Sequence, residues 1–149
     1  MRVLVDASVL LRFPLPSPNP VRAVDVIVHV ALAGTFALLL PPQLLTEIAT
    51  KLVTNPYIVA RAIPRQVELL LVLLTETAIP LSPHPLPFPP LTRDPADDYL
   101  LAYALHDRAD FLLTGDRDLL DLAPAYDPPR IVDPGAFVRE LRARNLIDP

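Results

Sequence analysis

Short apolar runs, each closed by a polar residue or a proline, alternate along this chain with longer stretches of mixed apolar and polar residues. The β-branched run Val3-Leu4-Val5 predicts a buried strand over 2–5. Similar runs predict strands over 36–40, 77–81, 111–114 and 130–132. The stretches between them predict helices over 21–33, 41–54, from 64 through the leucine run 69–74, 94–108, 117–122 as a short turn, and 134–144. Gly34 ends the first of these helices, and Pro41-Pro42 starts the second, proline being favoured in a helix's first turn. Asp94-Pro95-Ala96-Asp97 is a helix start, with aspartate as N-cap, proline at the first position and an acid at the third. Residues 15–20 are a connector. Residues 82–90 hold five prolines and read as a stiff extended loop within one domain, because the pieces on either side are too small for separate cores. Strands that alternate with helices argue an α/β fold, a parallel sheet flanked by helices, with residues 1–149 as one domain.

Composition narrows the chemistry. With 149 residues, 52% hydrophobic and 20% charged, the chain can bury a substantial core, and disorder is not expected. It has no cysteine, which excludes disulfides, thiolate zinc sites and a cysteine nucleophile. The mean hydropathy of +0.38 calls for a test of membrane insertion. The best candidate, residues 26–40, is fifteen residues long and contains His29, Gly34 and Thr35. A helical span needs about 20 residues, so a buried helix followed by a buried strand is the reading adopted, and no membrane association is expected. No basic segment with a following apolar stretch opens the chain, so a cytoplasmic protein is expected. The net charge of −4 means that any nucleic acid must be attracted by metal ions and local arginines rather than by bulk charge. Twenty prolines against three glycines restrict the unfolded chain.

The candidate chemistry is acidic. Asp6 and Asp116 follow predicted strands, Glu47 lies in the second turn of its helix, and Asp98 lies in the first turn of another. Ligands of open α/β sheets bind at the carboxyl ends of strands. If the strands before Asp6 and Asp116 are neighbours, these four carboxylates meet at one rim. Such a group repels itself unless divalent cations are present, and hard oxygen ligands suit Mg²⁺ or Mn²⁺. A metal of this kind lowers the pKa of a bound water and stabilises charge on a phosphoryl oxygen.

Four segments carry a family resemblance: Val3-Leu4-Val5-Asp6-Ala7-Ser8, Leu45-Thr46-Glu47-Ile48, Arg93-Asp94-Pro95-Ala96-Asp97-Asp98, and 109–120 with Leu113-Thr114-Gly115-Asp116-Arg117-Asp118. Together they resemble the PIN-domain nucleases, in particular the branch described as toxins of toxin–antitoxin systems. The closing Ile131-Val132-Asp133-Pro134-Gly135-Ala136-Phe137 is similar to that branch as well. The resemblance implies a three-layer α/β/α sandwich around a parallel sheet of about five strands. It implies divalent-metal-dependent endonucleolytic cleavage, usually of RNA, leaving 5′-phosphate and 3′-hydroxyl ends. Asp6, Glu47, Asp98 and Asp116 fall on the family's acidic metal-binding positions. Asp118 is a further candidate ligand, Ser8 and Thr114 are supporting residues, and Arg12, Arg93 and Arg117 are candidate phosphate contacts. A small antitoxin protein and a homodimer are the partners implied. The chain departs from many relatives in having Asp6-Ala7-Ser8 where they have Asp-Thr-Asn, and in its prolines before Arg93.

Plainer roles compete at each position. Glu47 stands four residues before Lys51, the only lysine, as in an ordinary helical ion pair. Asp6, Asp116 and Asp118 read as turn or cap residues, and Asp94 and Asp97 as parts of a helix start. His29, His84 and His106 show no ligand spacing: His29 is placed on a core-facing helix, His84 in the proline loop, and His106 near a helix end. Arg139, Arg142 and Arg144 are read as one basic face of the last helix. The alternative function is a catalytically silent module that binds a protein or RNA. An aspartyl-phosphate phosphotransferase is disfavoured because Ser8 stands where such enzymes carry a second acid, and no phosphate-cradling glycine loop is present.

Overall fold

The computed structural model describes residues 1–84 and 98–149. The proline-rich loop beyond His84, Arg93, and the helix start Asp94 to Asp97 lie outside the described residues.

The five predicted strands form one sheet. They are β1 (Arg2–Val5), β2 (Ala37–Leu40), β3 (Ile79–Pro80), β4 (Phe111–Leu113) and β5 (Arg130–Val132). Their spatial order is β3-β2-β1-β4-β5, and every pairing is parallel. Leu4 lies opposite Leu39 on one side and Leu112 on the other. The central strands are buried, so they show continuous apolar runs rather than alternation.

Eight α-helices flank the sheet among the described residues: α1 (Ala7–Leu10), α2 (Ala23–Leu32), α3 (Pro42–Thr54), α4 (Pro56–Arg61), α5 (Pro64–Val72), α6 (Asp98–His106), α7 (Arg117–Leu120) and α8 (Pro134–Ala143). The chain crosses from β1 to β2 to β3 in one direction and then turns back to β4 and β5. Right-handed crossovers in opposite directions place their helices on opposite faces. The result is the predicted α/β architecture, a parallel sheet flanked by helices.

Two helices escape the sequence pattern. α1 is a single turn whose residues continue the apolar run of β1, and Asp6 caps it. α4 sits between Asn55, whose side chain accepts from the Ile58 N–H, and the break before Pro64. A π-helical turn (Leu73–Thr77) extends α5 and buries Leu73 and Leu74. Gly34 ends α2 in a left-handed conformation, φ 79°, which a β-carbon would disfavour.

One surface expectation is refined and another corrected. α2 is core-facing as expected, and His29 stands on its exposed side; its Nδ1 lies 2.7 Å from the Asp25 carbonyl oxygen. The apolar stripe Val24, Ile27, Val28 and Ala31 takes the inward face, leaving position 29 outside. The C-terminal arginines do not make one basic face. Arg144 reaches Glu140 at 2.8 Å, and Arg130 approaches the same carboxylate at 3.4 Å. Helical geometry turns position 144 well away from 139 and 142.

Candidate active site at the sheet's switch point

β1 and β4 are neighbours, and between them the strand order reverses direction. This is the crevice where open α/β sheets receive ligands, because the loops leaving the two strands diverge to opposite faces. Asp6 follows β1 and Thr114 follows β4. The backbone closes the crevice floor: the Asp6 N–H donates to Leu113 O at 2.9 Å, and the Thr114 N–H to Val132 O at 3.1 Å.

Asp6 is 7% exposed, which makes it one of two buried polar side chains among the described residues; Thr114 is the other. Their side chains are joined, the Thr114 hydroxyl donating to Asp6 Oδ2 at 2.9 Å. The same hydroxyl oxygen accepts from the Asp116 N–H at 3.0 Å, and Asp116 Oδ1 accepts from the Asp118 N–H at 2.9 Å. Asp6 Oδ1 accepts from the Ser8 N–H at 3.4 Å, while Ser8 itself is exposed. Asp6 and Asp116 are therefore helix caps as well as clustered carboxylates. Capping does not exhaust a carboxylate, which has about four lone-pair positions.

Desolvation by burial raises the Asp6 pKa most strongly. Hydrogen bonds from Thr114 and Ser8 pull it back, and the charges of Glu47 and Asp116 push it up further. Asp6 thus experiences both other acids as near neighbours, though they lie far apart in sequence. Glu47 is half-buried on α3, with Oε2 3.3 Å from Lys51 Nζ. The helical ion pair foreseen for Glu47 exists and leaves Oε1 facing elsewhere: the Tyr99 hydroxyl approaches it at 3.5 Å. Tyr99 follows Asp98 in the chain, so the start of α6 stands beside Glu47. Asp98 is the first residue of α6, and its side chain lies outside the described residues.

Arg12 extends toward this edge, with Nη2 3.8 Å from where a β-carbon on Gly115 would stand. Arg117 opens α7 and is exposed. Arg93 lies outside the described residues. Sequence reasoning missed Tyr99 and Gln43. Gln43 lies one helical turn before Glu47, and its buried Oε1 has no hydrogen-bond partner among the described residues. Only the three-dimensional neighbourhood marks either of them.

The donor set is oxygen throughout, which fits a hard divalent cation rather than a zinc-type thiolate or imidazole site. Thr114 holds two of the acid-bearing segments together. Thr114→Val keeps the shape and removes both hydrogen bonds. It is expected to cost about 1–3 kcal/mol of stability in urea denaturation and to weaken Mn²⁺ binding about 10-fold in a calorimetric titration.

Histidine chemistry appears elsewhere. The sequence shows no ligand spacing among the histidines, yet the fold brings His84 and His106 together beside Asp107. Residues 84 and 106 are too far apart for any periodicity to reveal this. No helix among the described residues is long and apolar enough to cross a membrane.

Comparison with curated proteins finds no match, and none of the solved structures matches either. A family model described as PIN domain matches residues 2–118, spanning Asp6, Glu47, Asp98, Asp116 and Asp118. PIN domains are typically nucleases that use divalent metal ions. By this match over most of its length, on a parallel sheet of the same kind, the chain belongs to the PIN-domain family.

Proposed function

We propose that the chain is a Mg²⁺- or Mn²⁺-dependent endoribonuclease and the toxin of a toxin–antitoxin pair, acting in the cytoplasm as one domain over residues 1–149. The observation that carries this reading is the buried Asp6 carboxylate at the switch point, acted on by the charges of Glu47 and Asp116. Asp6, Glu47, Asp98 and Asp116 are the proposed metal-holding carboxylates, with Asp118 at the rim. A divalent ion there supplies an activated water and neutralises charge developing on the phosphoryl group. Thr114 and the Ser8 N–H orient Asp6. Arg12, Arg93 and Arg117 are the proposed phosphate contacts, which an acidic protein needs locally. An antitoxin segment is the proposed inhibitor of this groove. Exposed Val53, Tyr57 and Val59 on α3 and α4, at 75%, 57% and 57%, support a homodimer through that surface.

Incubation of the protein with a mixed RNA substrate tests the activity. Cleavage is expected with Mn²⁺ or Mg²⁺ and is expected to disappear in EDTA. Saturating Mg²⁺ is also expected to raise stability, by about 2.7 kcal/mol at a hundred times Kd. Cleavage unaffected by EDTA overturns the metal assignment. A protein that binds no Mn²⁺ and cuts no RNA is instead the silent binding module.

A further inference from the structure

The structure assigns a second metal site, of transition-metal character, to His84, His106 and Asp107. It lies away from the acidic crevice. The Asp107 carbonyl oxygen accepts from the Arg2 guanidinium at 3.0 and 2.9 Å, so the cluster borders the N-terminal end of β1. Asp6 follows the other end of that strand, about 13 Å away at the usual strand rise.

The ligand atoms already approach coordination geometry. His84 Nε2 lies 3.5 Å from Asp107 Oδ2, and His106 Nδ1 lies 3.4 Å from the same oxygen. The three ligand atoms fall within 4.8 Å of one another. Nitrogen and oxygen ligands about 2.0–2.1 Å from a tetrahedral ion stand about 3.4 Å apart. His106, whose side chain is 68% exposed, meets the His84 ring edge-on at 3.8 Å and is the ligand with most room to adjust.

The other two ligands are held. The His84 N–H donates to the Tyr103 hydroxyl at 3.0 Å, and its ring rests on the Tyr103 ring at 4.4 Å. The Asp107 N–H donates to Tyr103 O at 2.8 Å, and Arg2 holds its carbonyl oxygen. The chain then turns at Arg108 in a left-handed conformation, φ 55°. A non-glycine residue pays for that conformation. The cluster also sits at the C-terminal end of α6, where the helix dipole favours a cation.

Two imidazoles and one carboxylate suit Zn²⁺, Co²⁺ or Ni²⁺ rather than Mg²⁺. Among the described residues the site has three protein ligands, and the exposed His106 side is open to water as a further one. The ion ties the chain after β3 to the end of α6, the helix that begins at Asp98. It is a staple on the support of the acidic site and takes no part in the crevice itself.

Zn²⁺ titration of the full chain in excess Mg²⁺ tests the site, with Co²⁺ as a spectroscopic probe. One Zn²⁺ per chain is expected, together with a visible d–d band on Co²⁺ loading and a rise in Tm of several degrees. His106→Ala alters an exposed side chain and is expected to fold. It should weaken Zn²⁺ binding about 10- to 100-fold and abolish the Tm rise. Asp107→Asn should do the same, whereas Asp6→Asn should keep both signals. Absence of stoichiometric Zn²⁺ binding overturns the proposal, as does affinity kept by both His106→Ala and Asp107→Asn or lost in Asp6→Asn. None of these readouts depends on nuclease activity.

Discussion

Asp6→Asn is expected to leave the sheet intact and to lower metal-dependent RNA cleavage by about 100-fold or more, a loss on the scale of removing one preorganised electrostatic contact from an active site. Asparagine keeps the volume and an acceptor oxygen for the Ser8 N–H, so α1 keeps its cap. It loses the charge that holds the cation. Circular dichroism should match the wild type while Mn²⁺ affinity collapses. Retained cleavage in Mn²⁺ by this variant would remove Asp6 from the metal site.

The same substitution has a signature in pH. Burial, the largest influence, raises the Asp6 pKa above the ordinary 3.8 despite the hydrogen bonds from Thr114 and Ser8. A carboxyl whose pKa is higher folded than unfolded binds its proton more tightly when folded. Metal-free stability therefore falls as pH rises from the unfolded value through the raised folded value. Asp6→Asn lacks that contribution. In EDTA at neutral pH the variant should melt at or above the wild-type temperature, and the gap should close as pH falls through the Asp6 pKa. Saturating Mg²⁺ should reverse the order, because only the wild type binds the ion well. A wild type that is more stable than the variant in EDTA would contradict this account of Asp6.

Phe137→Ala should produce the largest loss of stability, about 3–5 kcal/mol. Phe137 is fully buried on α8, and its ring meets Phe36 at 5.5 Å and Phe111 at 5.1 Å, both edge-on. Each aromatic pair contributes about 0.5–1.5 kcal/mol beyond the area it buries. Neighbours from the start of β4 and from just before β2 cannot collapse into the hole without moving the sheet. Domains of this size have about 5–15 kcal/mol in total, so thermal unfolding should fall by about 10 °C. The cluster stands at the N-terminal ends of the strands, whereas the acids stand at the C-terminal ends. Cleavage by the folded fraction, measured well below the midpoint, should therefore be unchanged. A midpoint shifted by less than a degree would mean that the aromatic cluster does not anchor α8.

The strands and longer helices were legible in the sequence because parallel sheets with covered faces demand unbroken apolar runs. Val3-Leu4-Val5, Leu38-Leu39-Leu40 and Phe111-Leu112-Leu113 meet that demand plainly. α1 was not legible, because its apolar residues continue those of β1 and the change of period has too few residues to show. The helix carrying His29 was legible as core-facing, but the side His29 takes was not, because one residue's step around α2 separates the inward stripe from solvent.

The acids were legible as candidates through their places after strands and in helix turns. Their convergence rested on whether β1 and β4 are neighbours, and strand order is a property of the assembled sheet. The sequence by itself determined that this chain would build a helix-flanked parallel sheet and carry acids at its strand ends, since local hydrophobic pattern and turn chemistry act over a few residues. Only the tertiary structure decided that Thr114 bridges Asp6 to Asp116, that Tyr99 reaches Glu47, and that His84 meets His106 and Asp107. Those contacts join residues far apart in the chain, and packing of whole elements, rather than any local preference, sets them.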